Sequence, residues 1–167
     1  LATLGAGVLL PVLPLYLEES GLRLSLVGLV TASAGIGSAL GGLPSSSLAE
    51  RRGTDRLLAV ALIIMAGTAA VLGVTDAVIA LVALRIAYGF GHSGVSQSRQ
   101  LVVARSVDIG LRGRVNSWIG GTHRLMFVIG PLLGGIVYGR WGEAAAFALA
   151  GGLTGVGLAF LILPGGR

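Results

Sequence analysis

Ser46-Ser47-Leu48-Ala49-Glu50-Arg51-Arg52-Gly53-Thr54-Asp55-Arg56 is a short charged break between two long apolar runs, Leu24 to Leu48 and Leu57 to Val74. A helix that crosses a bilayer needs about 20 mainly apolar residues, and both runs meet or approach that length. The break leaves room only for a tight turn, so the two runs form a helical hairpin with a basic tip. Gly53 supplies the backbone freedom such a turn demands. A carboxylate at Glu50 can pair with a neighbouring arginine or face a helix N-terminus.

Working outward from this hairpin, four further runs have the same character: Leu1 to Leu17, Ala77 to Val103, Val115 to Tyr138 and Ala144 to Leu163. None shows the period-two alternation of lipid-exposed strands, so the spans are read as helices. Composition agrees. Of 167 residues, 54% are apolar and only 11% are charged, with a mean hydropathy of +0.90. Soluble domains carry roughly 25% charged residues, so lipid must replace water over most of this exterior. The 29 glycines sit inside the apolar runs, where small residues let helices approach closely. The expected fold is an all-α membrane protein of six transmembrane helices in one domain, residues 1–167.

The net charge of +5 is carried by arginine alone. These arginines lie in gaps between apolar runs and are not interleaved with aromatics, so nucleic acid is not an expected partner. The absence of cysteine excludes disulfides and thiolate metal sites, and two distant histidines with few acids predict no metal. The charges instead report topology. Arg51, Arg52, Arg56, Arg105, Arg112, Arg114 and Arg167 fall on one side of the expected membrane, and only Arg23 and Arg140 on the other. Positive charge collects on the cytoplasmic face, which predicts that both ends are cytoplasmic. The opening at Leu1, without an initiator methionine or a basic leader, predicts that the chain is cut at both ends.

Setting helices one to three against four to six shows a faint repeat. Helices two and five are rich in glycine and proline, helices three and six are almost uniformly apolar, and helices one and four carry the irregular features. Three-plus-three repeats nested within a six-helix half are a transporter pattern. In helix four, Arg85, His92 and Arg99 are spaced by seven and share a stripe with Tyr88 and Ser96 nearby. An arginine inside the bilayer costs at least ~2.5 kcal/mol, so it faces protein or a cavity. Arg85, Tyr88 and His92 are expected to face a central cavity, and Arg99 to snorkel to the headgroups. Arg124, beside His123 in helix five, is read as a buried arginine lacking a carboxylate in its own half. In Gly130-Pro131-Leu132-Leu133-Gly134-Gly135, proline removes a backbone donor and bends helix five, while the glycines open a groove for a neighbour.

These segments resemble, in order, the signatures of the major facilitator superfamily. The hairpin tip is similar to its loop signature G-x-L-a-D-r-x-G-r-r: Leu48, Ala49, Arg51 and Gly53 match, Glu50 replaces the aspartate, and Ser46 replaces the first glycine. Arg85-Ile86-Ala87-Tyr88-Gly89-Phe90-Gly91 resembles the R-x-x-x-G-x-G element, and the helix-five segment resembles the core of the drug–proton antiporter signature. Met126 stands where the longer form of that signature wants glycine. The resemblance implies that Glu50, Arg51, Gly53 and Arg56 latch two halves of a carrier. It also implies that Arg85 serves proton coupling and that a second six-helix half is missing here.

The expectation is therefore a secondary transporter working by alternating access, in a bacterial inner membrane. Its partners are a small-molecule substrate, the lipid bilayer and the absent half; it uses no cofactor, with the proton as coupling ion. Efflux of drug-like compounds is the first reading, and proton-coupled uptake of a small metabolite, with Arg85 and Arg124 suited to an anion, the second. The acids lie in gaps or at span ends, so no intramembrane carboxylate is available for coupling. A remote rival is an intramembrane serine protease, since Gly91-His92-Ser93-Gly94 matches G-x-S-G and Ser93 and His123 could lie at similar depth. Such enzymes place their histidine in helix six, which has none here. Enzymatic activity is accordingly not expected.

Overall fold

A computed structural model describes residues 1–75 and 77–162. Leu163 and Arg167, which entered the span and topology readings, lie outside the described residues. The described residues form five helical elements: α1 (Ala2–Glu19), α2 (Leu24–Arg52), α3 (Thr54–Leu72), α4 (Val78–Ser106) and α5 (Arg112–Ile162). All five are long and apolar enough to cross a membrane.

Five elements stand where six are expected, and the difference lies at Gly142. As one straight rod, 51 residues would reach about 76 Å, more than twice the hydrocarbon thickness. Gly142 interrupts the rod with φ 78° and ψ −177°, and α5 is two helical arms merged across that kink. This backbone region is essentially closed to residues with a Cβ, so glycine is what lets the chain turn there. The helix runs on through Pro131. The departure from helical φ/ψ in α5 is therefore eleven residues beyond Pro131 and seven beyond Gly135, the end of the expected kink segment.

The hairpin tip is tighter than expected. Helix α2 continues through Glu50, Arg51 and Arg52, and α3 starts at Thr54, so Gly53 alone separates them. Its φ of 88° and ψ of 156° explain how one residue suffices. At the corresponding break between α4 and α5, Arg112 folds back over the end of α4. Its guanidinium donates to the carbonyls of Ala104 (2.6 Å) and Val107 (3.0 Å), satisfying acceptors that a helix end leaves open.

Glycines decide which helices touch. A methyl group built on Gly37 of α2 would collide with the Ile86 carbonyl oxygen of α4, and one on Gly89 with the Ala34 carbonyl oxygen. On the other side, Gly130 and Gly134 of α5 meet Gly7 and Val8 of α1. Gly5 of α1 also lies against Ala150 in the second arm of α5, Gly91 of α4 against Ala61 of α3, and Gly151 of α5 near Ala66 of α3. The most extensive contacts are accordingly α1 with α5 and α2 with α4. Lipid tails are as apolar as leucine, so close backbone approach takes over the role that burial plays in water.

Between these seams lies a core of Val8, Val12, Leu13, Leu17, Met65, Leu72, Leu81 and Phe147. The outside is equally apolar: Leu43 and Ile79 are each 86% exposed. Such a surface could not face water without aggregating.

Candidate functional site

Helix α4 carries the buried arginine of the bundle. Arg85 is 8% exposed. One of its terminal nitrogens donates to the Thr31 carbonyl of α2 at 3.4 Å, and its guanidinium lies 5.5 Å from the centre of the Tyr88 ring. The cation thus has a carbonyl dipole and a π-face for company, with no carboxylate beside it among the described residues. The arrangement is incomplete: Arg85 Nε, the Tyr88 hydroxyl and the Thr31 hydroxyl are all buried without a hydrogen-bond partner. Three unmet polar atoms at one helix seam are costly, which marks the place as something other than packing.

Arg85, Tyr88 and His92 line one cleft, of about 170 Å³, together with Leu9 and Leu10 of α1, Ser38 of α2 and Phe127 of α5. The Ser38 hydroxyl donates across this seam to the Gly89 carbonyl at 3.0 Å. The expected stripe is therefore brought together: α1 and α4 face each other across it, with α2 and α5 as side walls.

One register further along α4, His92, Ser96 and Arg99 line a narrow pocket with Thr3 of α1, Met65 of α3 and His123 of α5. Arg99 and His123 continue into a cleft of about 350 Å³ walled by Trp118, Thr122 and Met126. Arg99, expected to snorkel to the headgroups, is half-buried and borders both of these clefts. Arg124 is the opposite case. It is exposed, and the walls of the clefts come instead from Trp118, Ile119, Thr122, His123, Met126 and Phe127. One residue along a helix is a rotation of about 100°, enough to put His123 inside and its neighbour outside. His123 stacks on Phe127 with ring centres 4.9 Å apart, which fixes the imidazole against the wall.

The hairpin residues Glu50, Arg51 and Arg56 are exposed at the bundle's basic end, with Gly53 between them. The end is tied together by Arg105, which donates to the Thr54 hydroxyl at 3.4 Å and so links α4 to the start of α3. Of the helix-five segment, Gly130 and Gly134 seat α1, and Pro131 touches Gly7. Gly135 faces open space.

Sequence reasoning passed over Thr31, Ser38 and Phe127 and left Arg99 out of the cleft lining. The spacing of seven already placed Arg99 on the Arg85–His92 stripe. The Ser93–His123 pairing finds no support, because Ser93 packs against Gly41 of α2 while His123 shares its pocket with His92, Ser96 and Arg99. Among the described residues no three histidine, aspartate or glutamate side chains converge as a metal site would require.

Long apolar helices around a stripe of basic side chains define a polytopic integral membrane protein. The family model of the Major Facilitator Superfamily matches residues 1–167, and the chain belongs to that family, whose members are secondary transporters of small molecules. No curated protein matches the chain.

Proposed function

We propose that this chain is the N-terminal half of a carrier working by alternating access, with proton-coupled efflux of small, partly hydrophobic compounds as its activity. Six membrane crossings form two three-helix repeats, the second arm of α5 being the sixth. The pairing of elements supports this reading. If helix one corresponds to four, two to five and three to six, the contact of α1 with the first arm of α5 corresponds to that of α4 with α2. The contact of α1 with the second arm corresponds likewise to that of α4 with α3. Inverted repeats of this kind place the substrate near the midplane.

One observation carries the proposal: Arg85 and His92, basic side chains within the bundle, line a cleft that α1 and α4 share with α2 and α5. Those are the helices that line the route, and the missing second bundle would close it from the other side. The resemblance at Gly130-Pro131 to drug–proton antiporters supports efflux. Both ends are cytoplasmic in this reading, the membrane is a bacterial inner membrane, and Glu50, Arg51 and Arg56 latch the halves. No cofactor takes part, and the proton is the coupling ion.

The test is reconstitution of the full-length protein in liposomes holding an imposed pH gradient and a pH-sensitive dye. A transported compound should dissipate the gradient only in vesicles that contain protein. A gradient untouched by a broad compound panel counts against proton coupling. Proton-coupled uptake of a small anion is the second reading, favoured by the cationic lining. It predicts accumulation in the same direction as proton flow.

A further inference from the structure

We infer that the cleft at His92, Arg99 and His123 is a binding site for the anionic head of an amphipathic organic acid, a substrate with one carboxylate on an apolar, aromatic body. The inference rests on the transporter reading and narrows its substrate class. Three basic side chains from two helices border one narrow pocket, His92 and Arg99 from α4 and His123 from α5. Two of them continue into the wider cleft, where Trp118 and Met126 offer an apolar wall and Thr122 a hydroxyl. No carboxylate lies among the residues lining this pocket, the wider cleft or the Arg85 cleft. Glu18, Glu19, Glu50, Asp55, Asp108 and Glu143, the acids among the described residues, sit at helix ends or in breaks.

Arginine is the side chain best matched to a carboxylate, because its planar fork donates two parallel hydrogen bonds. Imidazole N–H groups can add further donors to the same oxygens. Arg99 lies seven residues before the end of α4, about 10 Å along the helix. The site is thus toward the basic end of the bundle, where Arg105, Arg112 and Arg114 would draw anions in. An anion seated at Arg99 would find the next basic groups, the His92 imidazole and the Arg85 guanidinium, ahead of it along the same face of α4.

The experiment uses the full-length protein in detergent and three probes of one shape: 2-naphthoate, 2-naphthamide and 2-naphthylmethylammonium. Affinity is read by titration and by the shift in thermal unfolding. The carboxylate should bind about tenfold or more tightly than the amide, as expected for a charge-assisted hydrogen bond, and the ammonium least. Arg99→Gln and His123→Gln should each weaken naphthoate while sparing the amide, and Arg99→Lys should retain part of the affinity. Equal binding of acid and amide overturns the proposal, as does undiminished naphthoate binding to the double variant or no binding by any probe. The last result would be met if an acid from the second bundle already neutralised the site. Should the variants fail to fold, discrimination among the three probes by the unmodified protein still decides. Naphthoate binding without transport in liposomes would overturn the carrier reading and leave the site standing.

Discussion

Gly37 of α2 sits directly against the carbonyl oxygen of Ile86 on α4, with no space for even a methyl group between them. The reciprocal contact, Gly89 against Ala34, closes the same seam from the other side. Because Ile86 adjoins Arg85, this seam also sets how deeply the arginine is placed and which carbonyl it reaches.

Gly37→Ala should therefore destabilise the bundle by about 1–3 kcal/mol, the usual cost of overpacking. Gly42→Ala, where an added Cβ meets nothing within 4 Å, is the control and should be neutral or slightly stabilising. Thermal unfolding in detergent compares the two.

Arg85→Ala should abolish transport while membrane insertion and expression persist, since the guanidinium serves the cleft more than the packing. Vesicle transport together with a membrane-fraction assay checks both halves of that statement. Unchanged transport would remove Arg85 from the site.

Thr31→Val addresses the unmet hydroxyl beside that arginine. The shapes are nearly the same, and the Thr31 carbonyl that receives Arg85 is backbone and survives. Removing a buried hydroxyl without a partner should raise stability by about 1 kcal/mol. A loss of similar size would mean that the hydroxyl is engaged by solvent or substrate.

Gly142→Ala and Gly53→Ala should each cost about 1–3 kcal/mol, because both positions hold extended backbone at positive φ. Gly139→Ala, inside the first arm of α5 and next to open space, should cost nothing. Chemical unfolding in mixed micelles ranks the three.

Ser93→Ala should leave transport nearly unchanged. The side chain packs against Gly41 and its hydroxyl is remote from the lining of the His123 pocket. Labelling by a serine-hydrolase probe that disappears in this variant would revive the protease reading.

The spans were legible because hydrocarbon demands a long run of apolar side chains, and that demand is written residue by residue. Gly53 was legible for a related reason: a charged break too short for a loop needs a residue without a Cβ. The groove at Gly130 and Gly134 was also visible, although not that α1 would fill it. The seam at Gly37, Gly41 and Gly89 was missed. Its signal was the four-residue spacing from Gly37 to Gly41, the same spacing as Gly130 to Gly134.

His123 and Arg124 show where reading along the chain ends. Adjacent in sequence and both basic, they are separated by a helical rotation that places one at the clefts and the other on the outside. Arg99 shows the same limit, for its depth suggested the headgroups and only the fold shows that it borders the same pocket as His123.

Transfer of side chains out of water is a local property of each segment, so the sequence by itself determined the helices, the membrane and the basic end. Which face of each helix meets which neighbour depends on the joint fit of several glycine seams. Only the tertiary structure could decide that His92, Arg99 and His123 share one pocket, because no single segment contains the geometry that joins them.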